Sequence, residues 1–304
     1  MSSFDDHRHA NPYAAPPASS VALTDEYVQP EVVRPPLSKR ILTPLLLFVA
    51  TCASTLRVGD IMFNGDGWGY AFCVMMILLN HELGHYIQAV RYGVPASLPY
   101  FIPMPISPLG TMGAVIAMRG HMGDRKALFD IGITGPLAGL VPTLVCCVVG
   151  MHLAHVGPVL RGAELYGDPL LLKFLTYLKF GSLPAGHEVM LNPILFAGWA
   201  GLLVMAVNLF PIGQLDGGHI LYALLRTKAH IVARTLLLVC LLGMALSGNL
   251  GWSLMLMLLV ITGPDHPPTA NDDVPLGTGR IILGWATLLF LIVGFTPTPF
   301  SFAR

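Results

Sequence analysis

The chain has 304 residues, 54% hydrophobic and only 11% charged, with a mean hydropathy of +0.66. A soluble globule wets its surface with roughly a quarter of its residues charged, so this composition excludes an ordinary soluble domain and points to lipid. The 17 basic residues balance the 17 acidic ones, which leaves no cationic face for a phosphate backbone and excludes nucleic acid as a partner.

Residues 1–40 are a separate material, with prolines at 12, 16, 17, 30, 35 and 36 and no apolar period. That stretch predicts a disordered cytoplasmic tail. It has no charged start leading into an apolar run and no small-residue cleavage site, so it does not read as a signal peptide. From Ile41 onward apolar runs recur at about 41–56, 67–90, 127–150, 192–210, 231–246, 250–262 and 281–296. A helix needs about 20 residues to cross the hydrocarbon core. The second, third and fourth runs are the full-length candidates and the last three are short. The expectation is an all-α polytopic membrane protein of six to seven transmembrane helices, with the membrane domain over 41–296 and a short tail over 297–304.

Basic residues set the orientation. With the amino terminus cytoplasmic, the inner segments collect 12 of the 17 Lys and Arg, leaving Arg57, Arg161, Lys173, Lys179 and Arg304 outside. This agrees with the positive-inside bias. Between the second and third runs, Ala96–Arg119 is apolar yet carries Pro99, Pro103, Pro105, Pro108, Gly110 and Gly113. So many breakers exclude a straight spanning helix. The segment reads as an irregular or β-hairpin element at the membrane surface, or embedded in the membrane beside protein, because unpaired backbone cannot face lipid. The connection Met151–Leu191 is too short for an inserted domain of ordinary size. The five cysteines lie in apolar runs without CxxC spacing, so they read as small buried hydrophobes and not as thiolate ligands.

Inside the second run stands His81-Glu82-Leu83-Gly84-His85. On a helix, residues four apart share a face, so both imidazoles reach one metal ion while Glu82 handles protons beside it. Chance in a chain of this composition supplies about 0.006 such matches. Two histidines and a glutamate in mid-span are costly unless partnered, which makes the cluster functional by default. A catalytic zinc takes a third protein ligand and keeps one open position. Two carboxylates in apolar surroundings compete. Asp130 lies at the entrance of the third run, where the helix dipole suffices to explain it. Asp216 follows a long apolar run broken by Pro211, Gly213, Gly217 and Gly218, and broken backbone at membrane depth is tolerated only where it is buried in protein or lines a cavity; a cavity with an acidic group is what a metal site requires.

Other residues are weaker candidates. His219, three residues past Asp216, either hydrogen-bonds the ligand shell or sits at a cavity mouth. His152 and His155 fall on the opposite side of the membrane and read as surface residues. Gly135 and Gly139 form a GxxxG spacing that signals close helix packing. Asp265, His266, Asp272 and Asp273 lie in a Pro-rich loop and read as solvated.

HELGHY in one apolar segment and NLFPIGQLDGGH in a later one, with the Pro/Gly-rich stretch between, resemble the site-2 protease family of intramembrane zinc metalloproteases. The resemblance covers about 41–226. It implies that His81, His85 and Asp216 ligate one Zn2+ per chain, that Glu82 is the catalytic base, and that Asn208 donates to the oxyanion. It further implies that the segment near 97–119 receives substrate as an extended strand. The chain departs from the family in having no room for a PDZ domain in any loop. The function expected is zinc-dependent cleavage of transmembrane segments of other proteins in a lipid bilayer, most simply a bacterial inner membrane. Arg91, six residues beyond His85, puts the cut toward the cytoplasmic side. The competing readings are a prenyl-type membrane protease, a metal-binding protein or transporter, and an inactive family member. The first would take a glutamate as third ligand, and none of the five glutamates lies near Asp216. The others have no use for the unligated Glu82.

Overall fold

The structure, a computed structural model, describes residues 37–118, 123–159, 162, 164–248 and 251–302. The tail expected over 1–40 lies outside the described residues up to Pro36, as do Arg8, Arg34, Arg119, Arg161 and Arg304 of the orientation argument; Leu37–Arg40 form the first turn of a helix. In chain order the elements are α1 (Leu37–Met62), α2 (Gly67–Arg91), β1 (Tyr100–Pro103), β2 (Thr111–Val115), α3 (Arg125–Leu153), β3 (His155–Pro158) and β4 (Glu164–Tyr166). There follow α4 (Leu170–Phe180), β5 (His187–Met190), α5 (Pro193–Asn208), α6 (Asp216–Leu225), α7 (Lys228–Ser247), α8 (Ser253–Thr262), α9 (Thr278–Gly294) and β6 (Phe300–Phe302).

Helix lengths differ from those read off the apolar runs. Among the described residues, α1, α3 and α7 are long and apolar enough to cross a membrane. The fourth run supplies only the 16 residues of α5, because its ends do other work. Asn192 caps the helix by accepting from the amides of Ile194 and Leu195, with Pro193 in the first turn, as that position favours. At the other end the chain leaves the helix before Pro211. The 25 residues of α2 reach about 37 Å, but Asn80, His81, Glu82, His85 and Gln88 dilute their apolar character. The fifth run is longer than expected because Lys228, Ala229 and His230 join α7. Outward-facing Leu46, Val49, Val145, Leu238 and Leu242 are more than half exposed. These rows of bare apolar side chains on α1, α3 and α7 suit a lipid surround.

The chain is also not all-α. Among the described residues there are three sheets, each a two-stranded antiparallel pair: β1 with β2, β3 with β5, and β4 with β6. The first falls where the Pro/Gly pattern left a hairpin open, in register Tyr100↔Val115, Phe101↔Ala114 and Pro103↔Thr111. The last joins Phe300–Phe302 to Glu164–Tyr166, so residues expected as a short tail are tied to the body.

The centre is α2, α3 and α5 packed side by side, with α1 against α2 and α6 against α3. The core between them is led by Tyr70, Leu78, Phe196, Trp199 and Leu202, all at most 1% exposed. Phe196 and Trp199 stack at 5.6 Å, and Tyr166 and Phe300 close on Trp199 edge-on. A second core of Leu128, Phe129, Ile220 and Tyr222 joins α3 to α6.

Candidate metal centre

His81, Glu82 and His85 sit in the second half of α2, all under 7% exposed. They are reached by α3 because glycines allow it. A β-carbon on Gly139 would lie 3.0 Å from Cβ of His81, and one on Gly135 would overlap the His85 imidazole. The GxxxG spacing is therefore a close-packing device, directed at the two histidines.

Asp216 arrives from the other side. After α5 ends at Asn208, the chain turns tightly through Leu209–Leu215 and enters α6 at Asp216. Gly213 takes φ +59°, a left-handed conformation that suits glycine. Gly217 and Gly218 press against the carbonyls of Leu209 and Gly213 with no room for a side chain. The helix break thus folds the carboxylate back onto α2.

The result is a small triangle of donors. Asp216 Oδ2 is 3.2 Å from His81 Nε2 and 3.2 Å from His85 Nε2, and the two ring nitrogens are 3.1 Å apart. These are the only described residues of suitable type grouped closely enough for a metal ion. A tetrahedral zinc with bonds of about 2.0–2.1 Å requires donor separations of about 3.3 Å, so the triangle fits that ion with little adjustment. The other nitrogen of His85, Nδ1, is 2.7 Å from the carbonyl of Ile131. It must donate there, which leaves Nε2 unprotonated for the triangle. His81 Nδ1 is buried with no hydrogen-bond partner among the described residues.

A cavity of about 810 Å³ opens over the triangle and is lined by Glu82, Asn208 and His219 as well as the three donors. Asn208 Nδ2 lies 3.4 Å from His81 Nε2, so the amide stands at the edge of the donor set. One wall is the chain from Ala114 to Met118, which includes the end of β2. A second stretch of the lining is Pro267, Pro268 and Thr269.

In this loop His266 departs from the expectation of a solvated residue, whereas Asp273 is 87% exposed as expected. His266 is 6% exposed, and its Nε2 lies 2.7 Å from Nδ1 of His219. Its ring stacks on Tyr222 at 4.6 Å, and its carbonyl pairs with His230 Nε2 at 3.0 Å. Asp265 pairs with Arg234, Asp273 with Arg226, and Asp272 accepts from the Tyr222 hydroxyl. The loop is a strap fastened over the cavity. His219 lies at the cavity and is held by the strap. Asp130 is corrected too: it pairs with Arg280 at 2.8 Å and owes its place to that partner more than to the helix dipole. His152 and His155 are exposed and take no part. A clue to the strap lay in three aspartates placed after two arginines, but no local period marks such a pairing.

Residues 69–247 match the family model of peptidase family M50. Over 235 residues the chain is 32% identical to a protein of Arabidopsis thaliana named probable zinc metalloprotease EGY1, chloroplastic, covering 75% of this chain and 42% of that one. Its namesake in Oryza sativa subsp. japonica is 33% identical over 220 residues, 69% of this chain and 37% of the relative. Probable zinc metalloprotease EGY2, chloroplastic, of Arabidopsis thaliana is 28% identical over 243 residues, 78% and 43% of the two chains. The chain thus spans about two fifths of the length of these relatives.

Proposed function

Because the chain belongs to peptidase family M50, the site-2 protease family, we propose that it is a zinc-dependent endopeptidase of the membrane that hydrolyses peptide bonds in transmembrane segments of other proteins. The observation that supports this reading is the convergence of two imidazoles and one carboxylate within 3.2 Å of one another, beside Glu82 and inside a cavity. The relatives' names assign them to the chloroplast. A bacterial inner membrane, the location expected from the sequence, draws no support from them.

His81, His85 and Asp216 would hold the ion. When bound, zinc supplies a Lewis acid and brings the pKa of a coordinated water to about 7. Glu82 takes a proton from the attacking water on its carboxylate and returns it to the leaving amine nitrogen. The Asn208 amide donates to the oxygen of the scissile carbonyl as charge develops there. The edge of β2 away from β1, which pairs with no other strand among the described residues, offers backbone groups to an extended substrate and so replaces the hydrogen bonds that a helical segment loses on unwinding. A purely metal-binding protein has no role for a carboxylate at Glu82's position. The test is Glu82→Gln in detergent-solubilised protein, with zinc content and cleavage of a transmembrane reporter measured together. Zinc is expected to stay and cleavage to vanish; retained cleavage overturns the assigned base. Comparative proteomics of cells carrying wild type or Glu82→Gln then identifies substrates by the fragments that disappear.

A further inference from the structure

We propose that Asp130, Arg280 and Tyr92 form a clamp that orients the His85 imidazole and so tunes how tightly the centre holds its ion, an inference that rests on the metal-centre reading above. Both oxygens of Asp130 are engaged. Arg280, at the start of α9, donates Nε–H to Oδ1 and Nη2–H to Oδ2, each at 2.8 Å. The hydroxyl of Tyr92, just past the end of α2, donates to Oδ2 at 2.5 Å. One carboxylate thus joins three helices.

The next residue in α3 is Ile131, whose carbonyl accepts from His85 Nδ1. The Thr134 hydroxyl spans the carbonyls of Asp130 and Ile131 at 2.9 and 3.1 Å. The peptide that fixes the tautomer of His85 is therefore held on its preceding side chain by a two-pronged ion pair, and no equivalent support exists for His81 among the described residues.

A partly buried ion pair is a weak source of net stability, since desolvation offsets attraction. Its fork geometry, however, fixes position. Position is what a metal ligand needs from its surroundings, and loss of such outer partners typically weakens metal binding by about 10–100-fold. Arg280 lies beyond the residues 69–247 that match the family. The donors, Asp130 and Tyr92 thus belong to the shared segment, and only Arg280 comes from α9 beyond it.

The experiment uses the full chain in detergent and three readouts: zinc affinity by competition with a chromophoric chelator, thermal unfolding of the zinc-free protein, and nitrogen NMR of histidine-labelled, zinc-free protein. Arg280→Gln and Asp130→Asn are expected to weaken zinc about 10–100-fold and to shift and broaden the Nδ1 signal of His85, whose hydrogen bond to the Ile131 carbonyl is loosened. Arg280→Lys, which keeps charge but not the fork, should fall between them and wild type, and Tyr92→Phe should lose least. Wild-type affinity and an unchanged His85 signal in Arg280→Gln, with only the unfolding temperature lowered, overturn the clamp. If wild type itself binds no zinc, or Asp216→Ala binds it equally well, the metal-centre reading fails instead.

Discussion

Gly135 lies so close under the His85 ring that a single added carbon would occupy the space of the imidazole. Helix α3 is therefore part of the centre although it supplies no donor atom. Gly135→Ala is expected to displace His85, to weaken zinc binding at least about tenfold, the size of effect seen when ligand orientation is lost, and to lower the zinc retained by the purified protein. At Gly139 the new carbon would meet His81 Cβ at 3.0 Å, a contact relieved by a small shift, so Gly139→Ala should lose far less. Metal analysis of both variants by mass spectrometry checks the ranking; equal occupancy in Gly135→Ala and wild type would contradict it.

Removing the ion should also lower stability. A ligand that binds only the folded chain stabilises it by about 2.7 kcal/mol at a hundred times its Kd. Dialysis against a strong chelator is expected to lower the unfolding temperature, and added zinc should restore it. In Asp216→Ala, which leaves two imidazoles, neither treatment should move the transition.

The strap should loosen in acid. The Arg234 guanidinium beside Asp265 holds its carboxyl below the usual range. Burial pushes Asp272 up, but hydrogen bonds from the Thr269 and Tyr222 hydroxyls outweigh it and hold that group low as well. For carboxyls lowered in the folded state, the stabilisation is complete above the unfolded value near 4 and is lost as pH falls through the folded one. Hydrogen exchange over residues 263–277, corrected for intrinsic rate, should therefore be slow at pH 6.5 and faster at about pH 3. In the double variant Asp265→Asn and Asp272→Asn the two protection levels should converge.

Lys179 closes the far end of α3. Its Nζ donates to the carbonyls of Met151, His152 and Ala154 at 2.9, 2.7 and 2.6 Å, where a cation suits the helix terminus. Lys179→Ala is expected to cost about 1 kcal/mol of stability and to leave zinc affinity unchanged, because the lost contacts lie at the end of α3 away from Gly135. Denaturant titration beside chelator competition separates the two quantities.

The donor half of the site was open to reading because its information is local. His81, Glu82 and His85 lie within one turn and a half of a helix, and the Pro and Gly around Asp216 announce a broken helix within ten residues. The remainder depends on partners far apart in the chain. Asp130 meets Arg280 across 150 positions, and His266 meets His219 across 47. Neither carries a spacing signal, so a pattern search finds only a lone acid and a polar loop. The same holds for β4 and β6, three residues each, too short to show an alternating period. The runs misjudged in length failed for a different reason. Apolarity marks what lies in lipid or core, whereas helix ends are set by Asn192, Pro193 and Pro211, which the apolar count passes over.

Translation releases a polypeptide in order, and the strap comes late in it. All three donors of the triangle have emerged once Asp216 is made, while Pro267–Thr269 and the strap's fastenings at Asp265, Asp272 and Asp273 follow after two further helices. A growing chain therefore carries the three donors before the residues from Pro267 to Thr269 that complete the cavity lining have been made. The order of synthesis lays down the triangle first and the lining that closes on it last.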